Sequence, residues 1–235
     1  MKMFQLSSTL LSPESIEILK DSFLPLLKGV LIYTIPLSFL SFFIGLVLAI
    51  TTAIFRISGI KVLSGVARVY VSIIRGTPLL VQLFIVFFGL GSLGIEFLKF
   101  DPFVGALIAL SLNTGAYASE TIRASILSIE KGQWEASSSI GMSYFQALRR
   151  VIMPQATRVS IPPLSNSFIG LVKETSLAST ILVSEMFRKA QEIVAATYEP
   201  LLVYVEAAAI YWVICFILSL IQDQIENRLN RYVKT

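Results

Sequence analysis

Seven polar residues stand where the chain is otherwise oily: Arg75, Thr77, Asn113, Glu120, Asn166, Lys173 and Glu174. Ionisable groups at membrane depth are costly and tend to face a cavity or a partner. A cation, an anion and neutral amides brought together are the means to grip a zwitterion, because one fixed charge meets its carboxylate and the opposite charge its ammonium. Arg75 either faces such a cavity and holds a carboxylate, or makes a structural ion pair with Glu120 or Glu174, or a subunit contact. Asn113 and Asn166 are read first as interhelical hydrogen-bonding residues and second as substrate contacts. Glu120 and Arg123 are three apart on one helix face, which makes a local ion pair the default. Lys173 and Glu174 pair locally or with another span.

Other chemistries are poorly served. The chain has no His, which weakens a histidine-ligated metal or a Ser-His triad, and no metal site is expected. Its single cysteine, Cys215, lies in an apolar run and permits no intrachain disulfide. No G-x-x-x-x-G-K-[ST] run occurs, so no phosphate-cradling loop of that kind is encoded. The chain is read as no enzyme and as holding no cofactor of its own.

The elements that must position these residues are membrane spans. Of 235 residues, 55% are hydrophobic and only 14% charged, against about a quarter charged in soluble domains. About 20 apolar residues cross a bilayer. By that rule the spans are about 23–55, 63–90, 102–126, 155–183 and 200–221. No signal peptide is expected, since the first apolar run is longer than a signal h-region. Ser12 is a plausible N-cap for a short surface helix over Pro13–Asp21. Gly76 and Pro78 should unwind or kink the second span.

Basic residues assign the sides. Arg56, Lys61 and Arg68, then Arg123, Lys131, Arg149, Arg150 and Arg158, then Arg228, Arg231 and Lys234 all fall on one side; Lys2, Lys20, Lys99, Arg188 and Lys189 fall on the other, diluted by acids. The positive-inside rule puts the N-terminus outside and the C-terminus in the cytoplasm. The expected organisation is an extracytoplasmic segment over 1–22, a transmembrane domain over 23–222 and a cytoplasmic tail over 223–235.

The loop over about 131–154 is then cytoplasmic. Gly141 is placed to end one short helix, and Ser143 with Gln146 matches a capping box that starts another. Tyr144, Ala147, Leu148 and Val151 form its apolar stripe, with Arg149 and Arg150 off it. Trp134 and Phe145 read as packing or interface residues, and Glu135 as a cap or a partner for a basic residue elsewhere. Pro154 marks the junction with the fourth span. A plain amphipathic surface loop is the competing reading.

The segment Glu135-Ala136-Ser137, Gly141, Val151-Ile152-Met153-Pro154 resembles the signature E-A-A-x3-G-x9-I-x-L-P of permease subunits of binding-protein-dependent ABC importers, with Ser137, Val151 and Met153 as departures. The runs Ile74–Phe84, Gly115–Ile129, Lys131–Met142 and Lys173–Ser179 resemble the polar amino-acid branch. The resemblance implies an all-α membrane protein of five transmembrane helices with a coupling-helix loop, as in type I ABC importer permeases. It implies a second permease subunit (homo- or heterodimer), a dimer of cytoplasmic ATP-binding subunits and an extracytoplasmic substrate-binding protein. Glu135, Ala136, Gly141, Ser143, Arg149 and Pro154 would couple to the ATPase, which binds the ATP. The implied substrate is a polar amino acid: cystine first, then arginine, glutamine or histidine. No nucleic-acid partner is implied. The rival reading is a secondary carrier or channel working without an ATPase, though no internal repeat of the kind carriers show is found. An intramembrane enzyme is disfavoured by the missing His.

Overall fold

The computed structural model of the chain describes residues 12–230. Lys2, Arg231 and Lys234, used above to assign the membrane sides, and residues 1–11 of the expected N-terminal segment lie outside the described residues.

The first pass is one long rod. Helix α1 (Pro13–Gly29) starts at the expected N-cap, where the Ser12 side chain accepts from the Ser15 N–H. It does not stop as a short surface helix. A π turn over Val30–Thr34 carries it into α2 (Ile35–Ile57), so the rod runs 45 residues. The cause of the π turn is Pro36. Its ring would strike the carbonyl four residues back, and the widened turn, closed by the Ile35 N–H on the Val30 carbonyl, relieves that clash. The same register recurs at Pro154, which follows a π turn over Leu148–Ile152.

The second pass is α3 (Lys61–Arg75) and α4 (Leu79–Phe84), the latter extended by a π turn over Ile85–Gly89. The expected kink is a bend of 105° between the two halves. Helix α5 (Pro102–Leu127) is the third pass, capped by the Asp101 carboxylate on the Val104 N–H. Two short helices follow, α6 (Lys131–Ser139) and α7 (Tyr144–Ala147). Then come α8 (Met153–Glu174), a 3-10 turn over Thr175–Ile181, α9 (Met186–Thr197) and α10 (Pro200–Asn230).

Among the described residues, two helices qualify as spans by length and hydropathy alone, or three if the bent pair is one. Helices α5 and α8 fail on hydropathy, not on length. With 26 and 22 residues they reach about 39 and 33 Å, enough for a hydrocarbon core of about 30 Å. Their polarity is explained by where they sit. Helix α5 packs against α2, α3, α4 and α8, and its Ser111, Asn113, Thr114, Ser119 and Ser125 are buried in protein, not lipid. Small residues allow the close crossing of α2 and α5: a Cβ on Gly45 would sit 2.8 Å from the Thr114 side chain, and one on Gly115 3.0 Å from the Leu48 Cβ.

Three apolar clusters hold the bundle. One around Leu37, Leu83, Leu110, Leu171 and Ile181 surrounds the bend. A second, of Ala49, Ala53, Ile122, Ile126, Leu148 and Ile152, ties α2 and α5 to the start of α8. A third, of Leu26, Val30, Met186, Ala190 and Val203, joins α1, α9 and α10. Outward faces are apolar as well, as with Phe43 and Ile32, which is the expected pattern for a lipid-facing surface.

Candidate functional site

The site begins at the break between α3 and α4. Pro78 has no N–H, so the carbonyl of Ile74, four residues back, loses its helical donor. Gln82, from the first turn of α4, replaces it: its Nε2 donates to the Ile74 carbonyl at 2.7 Å and to the Thr77 carbonyl and Thr77 Oγ1, each at 3.0 Å. Its Oε1 accepts from Asn113 Nδ2 of α5 at 3.0 Å. Both side chains are buried.

Against this network lies a cavity of about 370 Å³. Its polar wall is made by Thr77 at the break, Asn113, Thr114 and Tyr117 of α5, and Ser167 and Glu174 of α8. Arg75, the last residue of α3, stands over the Tyr117 ring, 5.3 Å from its centroid. A cation on an aromatic face keeps its fork of donors available for a carboxylate. The cavity thus has a carboxylate on the α8 wall and amide and hydroxyl groups at the break and on α5, with the Arg75 cation adjoining it on the Tyr117 ring, a donor and acceptor set suited to a small polar molecule.

The expected residues divide. Thr77, Asn113 and Glu174 line the cavity, and Arg75 adjoins it through Tyr117. Arg75 makes no ion pair with Glu120 or Glu174 among the described residues. Glu120 is instead held by Arg56 of α2 and by Arg123, at 2.9 Å, in a cluster near the loop-bearing end of the bundle. The local pair with Arg123 is as expected; the added partner, Arg56, is not adjacent in sequence. Asn166 is exposed, and its neighbour Ser167 takes the cavity position. Lys173 and Glu174 do not pair. Lys173 lines a separate groove with Phe187, Tyr204, Tyr211 and Trp212. Asn113 is both an interhelical hydrogen-bonding residue and a cavity residue. Ser167, Tyr117 and Gln82 were missed, because a polar or aromatic side chain in a helix shows its direction only once the bend is in place.

The loop has the two-helix form. Ile140 caps α6, and Gly141 follows at φ +77°. The Gly141 N–H bonds the Ser138 carbonyl at 3.0 Å and the Met142 N–H the Ser137 carbonyl at 3.1 Å, a Schellman closure. Both arms of the capping box form, with Gln146 Oε1 accepting from the Ser143 N–H at 2.9 Å. The indole of Trp134 stacks on Tyr144 at 5.2 Å between centroids, fixing α6 against α7. The helix that starts at Ser143 does not end at Pro154 but runs into α8, so the loop and the fourth pass are joined by continuous helix. Ile140 and Phe145 stay exposed, 73% and 66%, beside exposed Glu135, Arg149 and Arg150. Apolar side chains ringed by charge are the make-up of a docking surface. Glu135 caps no helix among the described residues; it lies within α6, away from the helix start.

A five-pass helical bundle with one pass broken around a polar cavity, and a capped pair of short helices at one end, is the architecture of the membrane-spanning subunit of a type I ABC importer. The chain belongs to the family "Binding-protein-dependent transport system inner membrane component", which it matches over residues 45–231. It is 60% identical over 218 residues to the L-cystine transport system permease protein TcyB of Bacillus subtilis (strain 168), covering 92% of each chain. It is 41% identical over 213 residues to the probable amino-acid ABC transporter permease protein YckA of the same organism, covering 91% of this chain and 92% of that one. Its fold matches a solved amino acid ABC transporter, crystallised with histidines, at a TM-score of 0.83 with 37% identity, over 89% of this chain and 96% of that chain.

Proposed function

We propose that this chain passes cystine through the membrane as the permease subunit of an ATP-driven importer, with arginine, glutamine and histidine as the substrates next in line. The observation that carries the reading is the cavity at the helix break, where Thr77, Asn113 and Glu174 converge and Arg75 is poised over Tyr117. The 60% identity to a permease named for L-cystine supports the choice of substrate.

The loop-bearing end faces the cytoplasm, in keeping with the basic residues gathered there, and the N-terminus is outside. The transmembrane domain covers 23–222, with the short segment before it outside and the tail after it inside. Glu135, Ala136, Gly141, Ser143, Arg149 and Pro154 form or support the surface that docks on a dimer of ATP-binding subunits. ATP is bound and hydrolysed there, not in this chain. A second permease subunit completes the pathway, and an extracytoplasmic binding protein delivers the substrate. Closure of the ATPases moves the coupling helices, and α7, continuous with α8, moves the Ser167 and Glu174 wall relative to the break.

The test is uptake into proteoliposomes holding the permease, ATPase and binding protein. ATP-dependent accumulation of radiolabelled cystine is expected, with unlabelled arginine, glutamine and histidine as weaker competitors. Uptake without the ATPase, or no uptake of any of the four, would overturn the reading.

A further inference from the structure

We infer that Gln82 is a positioning residue for substrate recognition: it turns the Asn113 carboxamide so that Asn113 Oδ1 is presented to the cavity as the acceptor for the substrate's ammonium. The inference rests on the cavity reading above.

The orientation of both amides follows from bond chemistry. The Gln82 Nε2 atom sits among the carbonyls of Ile74 and Thr77 and the hydroxyl of Thr77. The hydroxyl already donates to the Ile73 carbonyl at 2.9 Å, so it faces Gln82 as an acceptor. Three acceptors demand the NH₂ end of the side chain, because the opposite rotamer would press Oε1 against two carbonyl oxygens. With Nε2 committed to the break, Oε1 must point to α5. Only the NH₂ of Asn113 can answer an acceptor, which leaves Asn113 Oδ1 without a helical or side-chain donor among the described residues. That oxygen belongs to a residue lining the cavity opposite Glu174 and Ser167 of α8. A carbonyl oxygen there selects for a group that donates, and an α-ammonium is the donor every amino acid carries.

The origin of the arrangement is Pro78. Removing one N–H from α3 creates the orphan carbonyl at Ile74 that draws Gln82 in, and the two-ended Gln passes the resulting polarity across to α5. A residue that touches no substrate thereby sets the sign of the cavity wall.

The experiment is calorimetric titration of the assembled permease–ATPase complex in detergent with two probes: cystine, and 3,3′-dithiodipropionate, the same disulfide without its ammonium groups. Gln82→Leu should weaken cystine about tenfold, the worth of one buried hydrogen bond, and leave dithiodipropionate unchanged. Asn113→Ala should do the same. The double variant should be no weaker than either single one, because both act through one oxygen. Gln82→Met serves if the Leu variant fails to assemble. Equal weakening of both probes, or additive losses in the double variant, would reduce Gln82 to a structural role and overturn the inference while the cavity stands. An Asn113→Ala complex with unchanged cystine affinity would overturn the cavity reading and the inference with it.

Discussion

Lys173 and Glu174 are consecutive residues that face different cavities. Glu174 lines the cavity at the α3–α4 break, whereas Lys173 lines a groove with Tyr204 and Trp212 of α10. Neighbours on a helix point about 100° apart, so a charged pair in sequence is not a charged pair in space. If Glu174 supplies the anionic contact, Glu174→Gln should lower cystine affinity about tenfold, the scale of one charge-assisted hydrogen bond, while Lys173→Met should change it less than threefold. Titration of the assembled complex separates the two, and matching losses would show that the helix face has been misassigned.

Arg75 relies on Tyr117 instead of a carboxylate. A stacked guanidinium is worth about 0.5–2 kcal/mol to its own placement and keeps both edges free. Arg75→Ala should therefore weaken cystine about tenfold or more, and Arg75→Lys should recover little, since an ammonium cannot form the planar bidentate contact. Tyr117→Phe keeps the ring and should stay within twofold of the parent, whereas Tyr117→Leu should follow the Arg75 variants. Affinities across these four variants decide it: a Tyr117→Leu complex with parental affinity would remove the ring from the argument.

Gly141 tests the coupling loop. A Cβ added there meets nothing within 4 Å, so the cost of a side chain is purely that of φ +77°. For a bulky residue this is about 1–2 kcal/mol, and for Asn much less. Gly141→Leu should reduce substrate-stimulated ATP hydrolysis and co-purification of the ATPase, while Gly141→Asn should retain most of both. Insertion of the spans should be unaffected in each. A Leu variant that couples as well as the Asn variant would show that the Schellman closure is dispensable.

How much of this was legible in the sequence depended on whether the determinant was local. The α6–α7 loop was read correctly because Gly141, Ser143 and Gln146 act within one turn of themselves. The break at Gly76–Pro78 was legible for the same reason, but its angle was not, and the angle decides which side chains meet. Gln82 carried no local sign: its partners at Ile74 and Thr77 are close in sequence, but its role needs Asn113, brought near only by the packing of α4 on α5. Arg56 and Glu120 meet for a similar reason, through the glycine-mediated crossing of α2 and α5. Arg188 and Lys189 pair with Glu192 on a half-buried face of α9, the short-range ion pairs their spacing permits. Glu185, one turn earlier in the same connector, is fully buried, and nothing in its neighbours announced it.

That buried glutamate sets a pH dependence. It caps α9, its oxygens accepting from the N–H groups of Arg188 at 2.7 Å and Phe187 at 2.9 Å and from Tyr211 Oη of α10 at 3.0 Å. Burial pushes its pKa up to about 7 from the ordinary 4.5, although these three donors pull the other way. The folded state therefore holds a proton on Glu185 that the unfolded chain has lost between those values, and stability falls as pH rises from about 4.5 to about 7 and is flat beyond. The full swing is on the order of 3 kcal/mol. Glu185→Gln cannot titrate, so the parent should gain thermal stability relative to the variant when the purified complex is moved from pH 8 to pH 5. Melting temperatures of both proteins at the two pH values provide the check: an equal difference at pH 5 and pH 8 would mean that Glu185 stays ionised throughout, held by its three donors.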